Sequence, residues 1–174
     1  MILIAILGAC SSNNKHDDGP PVPPAHDVPA SNPTAPTAMP AMPKVHLLVT
    51  PTAPQGDLAV AVEIVSTAAQ IERGMMYREH LPPDQGMLFL MKEEKKWSFW
   101  MHNTLIPLDI VFIGGDFTIA GIVENAEPKT DTLRDVNGPS LYVLEVNGGF
   151  CAAHKITAGT KVAFEGVPSR PSKQ

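Results

Sequence analysis

From Val45 onward the apolar residues come in short runs rich in valine and isoleucine, each closed by glycine, proline or a polar cluster, with only one or two turns of helix between them. That pattern reads as strands over Val45–Thr50, Leu58–Ser66, Met87–Met91, Trp97–Met101, Asp109–Ile113, Phe117–Val123, Leu141–Val146 and Lys161–Phe164. LAVAVEIVS alternates imperfectly, as a strand buried on much of both faces does. Thr67-Ala68-Ala69-Gln70 is a capping box that opens a short helix through Arg73, and Gly74 can end it. Phe150–Lys155 fits one further helical turn. Lys92–Lys96 reads as a solvated loop, Gly114-Gly115-Asp116 as a hairpin turn, and Glu124–Ser140 as an exposed loop marked by Asn137-Gly138-Pro139. Many short strands with so little helix predict a mainly β fold, a compact β-sandwich or small barrel with one short helix.

The N-terminal quarter has a different character. MILIAILGAC is an apolar run ending in small residues and a cysteine, and it then turns polar at Ser11-Ser12-Asn13-Asn14. It resembles a bacterial lipoprotein signal, which makes Cys10 the lipidated first residue of the mature chain. It departs from that pattern in having only Met1, and no basic residue, before the apolar run. In such lipoproteins a serine after the cysteine implies the outer membrane. The expected location is therefore the periplasmic face of the outer membrane, with the lipid on Cys10 as the contact to the bilayer. Residues 11–43 hold nine of the eighteen prolines and almost no large apolar side chain, so they are expected to form a disordered, semi-rigid spacer. His16, Asp17 and Asp18, with His26 and Asp27, read there as solvated charge. Residues 44–167 are enough for a single domain, and 168–174 for a fraying tail.

A formal net charge of −5 with no basic stripe argues against nucleic acid. With Cys10 lipidated, Cys151 is left as a free thiol that is expected to be buried. Nucleotide, zinc-protease, serine-hydrolase and Cys-x-x-Cys signatures are absent, and no cofactor is expected. His80, His102 and His154 match no zinc-ligand spacing, so no metal is expected either. Cys151 with His154 three residues on could approach as a thiol nucleophile, but nothing else there marks a reactive site, and Met75 with Met76 as a copper(I) pair reads more simply as core packing.

The stretches RGMMYRE (73–79), GMLFLM (86–91), SFWMHNTLIPLDIVFI (98–113) and YVLEVNGG (142–149) resemble the DUF192 family of uncharacterised bacterial and archaeal proteins over about residues 58–165. The resemblance implies a compact, mostly β domain, frequently exported, with no established biochemical activity. Arg73, Gly74, Met76, Arg78, Gly86, Met87, Phe89, Trp100, Met101, Asn103, Thr104, Pro107, Asp109 and Glu145 match its recurrent positions, whereas His102 and Cys151 do not.

Two carboxylates interrupt otherwise apolar strands. Glu145 shares a strand face with Leu141 and Val143 and needs a cation or donors, for which Arg73 and Arg78 are the candidates. Asp109 opens a strand just after Pro107, where Asn103 and Thr104 are natural turn residues. Either these groups knit a turn and brace the sheet, or Arg73, Trp100, Asn103, Thr104 and Asp109 line a site for a small polar ligand, polyhydroxylated or amide-bearing. A catalytic alternative makes Asp109 and Glu145 an acid/base pair for hydrolysis, which requires about 5–10 Å between them. Trp100 and Met101 point opposite ways along a strand, so only one of them can line the site.

Overall fold

The computed structural model describes residues 41–48 and 58–168. The lipoprotein signal with Cys10, almost all of the proline-rich spacer and the tail beyond Pro168 lie outside the described residues. Seven strands, β1 (Lys44–Leu48), β2 (Leu58–Val65), β3 (Gln85–Lys95), β4 (Leu108–Ile113), β5 (Ile119–Ala126), β6 (Ser140–Asn147) and β7 (Lys161–Glu165), form one sheet in the order β5-β4-β6-β3-β2-β1-β7. The sheet curls into a half-barrel. Its two edge strands meet at one corner, where Thr118 bridges Lys161 and Val162 N donates to Phe117 O at 2.8 Å. All neighbouring pairs are antiparallel except β2 and β3. A parallel pair needs a crossover, and helix α1 (Ala68–Arg73) supplies it. The Thr67/Gln70 capping box is formed in both directions, and Gly74 caps the other end with φ 43°. The second helix, α2 (Phe150–His154), occupies the stretch read as a single turn.

The sheet is buried on both faces. One face, to which every strand contributes, fills the interior of the curl with Val45, Val60, Leu88, Val111, Ile119, Leu144 and Val162, and α2 adds Phe150 and Cys151. The opposite face of β3, β4 and β6 carries Met87, Phe89, Met91, Ile110, Phe112 and Val143. It is covered by α1 with the segment after it and by the loop that includes Phe99 and Met101. β3 and β6 approach closely at Gly86, where an added Cβ would lie 2.6 Å from the backbone oxygen of Glu145.

Three local expectations are revised. Lys92–Lys95 continues β3 instead of looping out, with Lys95 paired to Ser140 after a register shift. Trp97–Met101 is an irregular segment, tied at Phe99 to Arg134 by two backbone hydrogen bonds of 2.8 and 2.7 Å and at Met101 to Thr130. The polar loop thus provides the partner that a neighbouring strand would otherwise give. The turn after β4 runs through Phe117, whose φ is 59°, so β5 begins at Ile119. Among the described residues no helix is long and apolar enough to cross a membrane.

Candidate functional site

The stretch His102-Asn103-Thr104 is a tight turn. Thr104 N donates to Met101 O at 3.1 Å, and Asn103 adopts φ 52°, the left-handed conformation that asparagine tolerates better than most side chains. Asn103 Nδ2 donates to the Tyr77 hydroxyl at 2.8 Å, and Tyr77 N donates to Asn103 O at 2.9 Å, so the turn is fastened to the segment following α1. Met101 is fully buried, which leaves Trp100 to face outward, 44% exposed.

Between this turn and the end of α1 lies a cavity of about 210 Å³, walled by Arg73, Gly74, Met76, Met91, Phe99 and Trp100, among others. Thr104 and Glu145 also line it, and both are buried, at 5% and 4% exposure. A shallower space of about 410 Å³ adjoins it, bounded by Tyr77, His102 and Asn103 and sharing Glu72, Arg73, Met76 and Trp100 as walls. The two make one groove, its inner end reaching Glu145 and its outer end more open.

Glu145 is the chemically unusual group. It sits on β6 opposite Met87 of β3 and Ile110 of β4, on the loop-covered face of the sheet. Its Oε2 is buried without a hydrogen-bond partner. Burial pushes its carboxyl up to about 8, with only the charge of Arg78 opposing, so at neutral pH the group is predominantly a protonated acid. The expected ion pair with Arg73 or Arg78 is not formed. Arg78 instead clasps Glu63 with both terminal guanidinium nitrogens, Nη1 donating to Oε1 at 2.6 Å and Nη2 to Oε2, which holds the Glu63 carboxyl below its ordinary value. Arg73 is exposed and lies over the Tyr77 ring, 5.9 Å from its centroid, with no ion pair among the described residues.

Asp109 is elsewhere. It pairs with Val146, next along β6 from Glu145, so its side chain projects to the interior face, where Cys151 packs. Its Oδ1 accepts from Asn125 N at 2.7 Å and Gly149 N at 3.0 Å, and its Oδ2 accepts from Cys151 N at 2.7 Å. Gly149, the N-cap of α2, has no side chain to cap the helix, and Asp109 reaches across from β4 to do so. Asp109 therefore does not join Arg73, Trp100, Asn103 and Thr104 in the groove. The pairing of Asp109 with Glu145 as an acid/base couple is likewise lost, because the sheet itself separates them.

Burial and the neighbouring Asp109 push the Cys151 thiol up, out of reach of thiolate chemistry at ordinary pH. His154 packs on the Phe150 ring, 4.6 Å between centroids. His102 bonds Asp131 at 2.6 Å and lies against Trp100. Sequence reasoning passed over Glu72 and Tyr77 as site residues and weighed Met76 only with Met75 as a copper(I) pair. Their signal was available in helical spacing, since Glu72, Arg73 and Met76 fall within one turn of each other. Glu63, the lone carboxylate of its strand, was the visible candidate for Arg78.

The family model for DUF192, described as an uncharacterised family, matches residues 50–164. No curated protein matches the chain. A crystal structure of a protein of unknown function from Novosphingobium aromaticivorans is similar at 38% identity and a TM-score of 0.64, covering 69% of this chain and 83% of that one. A Sinorhizobium meliloti protein proposed to be a transcription regulator is similar at 36% identity and a TM-score of 0.64, covering 71% of this chain and 95% of that one. With a family match across most of the domain and relatives at this identity, the chain belongs to the DUF192 family.

Proposed function

We propose that the domain binds a small polar ligand in the groove between α1 and the His102–Thr104 turn, without catalysing its conversion. The observation that carries this reading is Glu145. A buried carboxyl with an unpartnered oxygen lowers stability unless something compensates, and here it lines a cavity instead of meeting an arginine. Thr104 lines the same cavity, Trp100 adds a half-exposed aromatic wall, and Arg73 a cation without an ion pair among the described residues. Binding is favoured over hydrolysis by an Asp109/Glu145 pair because Asp109 lies on the other face of the sheet, where its oxygens are taken up by backbone N–H groups. The net charge of −5 gives no support for extending a regulator's role on DNA to this chain.

The test is ¹H–¹⁵N NMR of the protein with a panel of sugars, sugar acids and amino acids. Members that bind are expected to shift the Gly74, Trp100 and Thr104 amides, and Trp100→Ala is expected to weaken them by about tenfold or more, as loss of an aromatic wall does. A panel that leaves every groove amide unmoved would remove the reading.

We also propose that this domain works at the periplasmic face of the outer membrane, held there by lipid on Cys10 through the proline-rich residues 11–43. The support is the apolar run ending at Leu7-Gly8-Ala9-Cys10 and the polar, proline-rich stretch after it. In a Gram-negative host, Cys10→Ala is expected to move the full chain out of the membrane fraction. An unchanged distribution would count against the anchor.

A further inference from the structure

We propose that the groove takes an uncharged acetamido sugar, its terminal ring in the inner cavity and the next ring on the outer aromatic floor. This rests on the ligand-binding reading above and names its chemistry. Size comes first. The inner cavity of about 210 Å³ has room for about seven waters at their liquid volume, which suits one six-membered ring and not two. The outer space of about 410 Å³ continues from it along shared walls, so a longer ligand has a defined direction of exit.

Charge comes second. The titratable groups around the inner cavity are Glu72 and Arg73 on α1 and Glu145 on β6; the outer space adds Tyr77 and His102. Glu72 and Arg73 cancel, burial holds Glu145 neutral, and His102 is bonded to Asp131. The lining therefore offers no net charge to an ionic ligand. It offers hydrogen-bonding capacity instead. A protonated carboxyl presents one O–H donor and one carbonyl acceptor, the complement of an amide's C=O and N–H, and Thr104, whose Oγ1 donates to His102 O at 3.4 Å, lines the same cavity. At the rim, Glu72 and Arg73 give an acceptor and a donor fork suited to hydroxyl groups.

Shape comes third. Tyr77 and Trp100 are 59% and 44% exposed, and both border the outer space. An exposed aromatic face beside hydrogen-bonding side chains matches a pyranose ring, which has a flat C–H face and a polar edge.

The experiment is an NMR titration of the full chain near pH 6 with N-acetylglucosamine, its β-1,4-linked dimer, and the charged relatives glucosamine and glucuronate. Both acetylated sugars are expected to shift the Trp100 and Thr104 amides, the dimer binding about tenfold tighter than the monomer and the charged sugars about tenfold weaker. Tyr77→Ala is expected to abolish the advantage of the dimer, and Tyr77→Phe, which keeps the ring but loses the hydroxyl that accepts from Asn103, is expected to retain it. The pair of variants separates the ring's part in the outer floor from the hydroxyl's part in fastening the His102–Thr104 turn, and a Tyr77→Phe protein without the dimer's advantage counts against the floor. Charged probes that bind as well as the neutral ones, or a dimer no tighter than the monomer, overturn the proposal but leave a small polar ligand in the groove. If none of the probes shifts the groove amides while another small molecule does, the sugar class alone fails. If nothing does, the binding reading fails with it.

Discussion

Glu145→Gln is expected to become progressively more stable than the unchanged protein as pH rises from about 5 to 8.5. In the unfolded chain the carboxyl ionises near its ordinary value of 4.5, whereas in the folded protein burial keeps it protonated up to about 8. Across that window the folded state holds a proton that the unfolded state has released, so the native protein loses stability as pH rises through it. Each pH unit within the window is worth about 1.4 kcal/mol. Because the cavity admits water, the total is on the order of 3–4 kcal/mol, or roughly 10–15 °C in Tm for a domain of this size. Glutamine has no proton to lose. At pH 5 the variant is expected to melt at or slightly below the unchanged protein, since its extra N–H lacks a partner; by pH 8.5 it should melt well above it. The readout is the difference in Tm followed against pH. A difference that stays flat would mean that Glu145 is ionised and paired in the folded state, contrary to the geometry of Arg78 and Arg73.

Asp109→Ala is expected to be severely destabilising. Its two oxygens satisfy three backbone N–H groups, from Asn125, Gly149 and Cys151, at a residue with no measurable exposure. Leaving buried donors unsatisfied costs about 1–3 kcal/mol each. A loss of about 4 kcal/mol or more follows, on the order of 15 °C in Tm. Asp109→Asn should recover little of this, because its amide nitrogen would turn donors toward backbone donors. Hydrogen exchange gives the local check: the Asn125, Gly149 and Cys151 amides should lose protection before those of β3. A variant with native Tm and native protection at these amides would remove Asp109 from the role of brace. The two substitutions thus predict opposite outcomes from carboxylates that neighbour each other across β4 and β6.

That contrast shows how much was legible from the residues. Local chemistry read well. The capping box at Thr67 and Gln70, the turn at His102-Asn103-Thr104, the opposite facing of Trp100 and Met101, and the predominance of short strands all depend on neighbours in the chain, and all are present. The KEEKK stretch and Trp97–Met101 read less well. Whether such segments join a ladder depends on a partner strand or loop, here Ser140 for one and Arg134 for the other, far away in sequence.

The sequence by itself determined that two carboxylates would be buried in β-strands and would need an account. It could not say that they answer to different needs. In a sheet, the face a side chain occupies follows from register, and a slip of one residue exchanges the faces. Register between β4 and β6 sets Ile110 against Glu145 and Asp109 against Val146. That arrangement sends Asp109 inward to the amides at the start of α2 and Glu145 outward beneath the groove. Only the tertiary structure decided this, because hydrogen bonds between strands more than thirty residues apart fix which face each carboxyl meets, and therefore which one braces the fold and which one is buried with an oxygen left unpartnered.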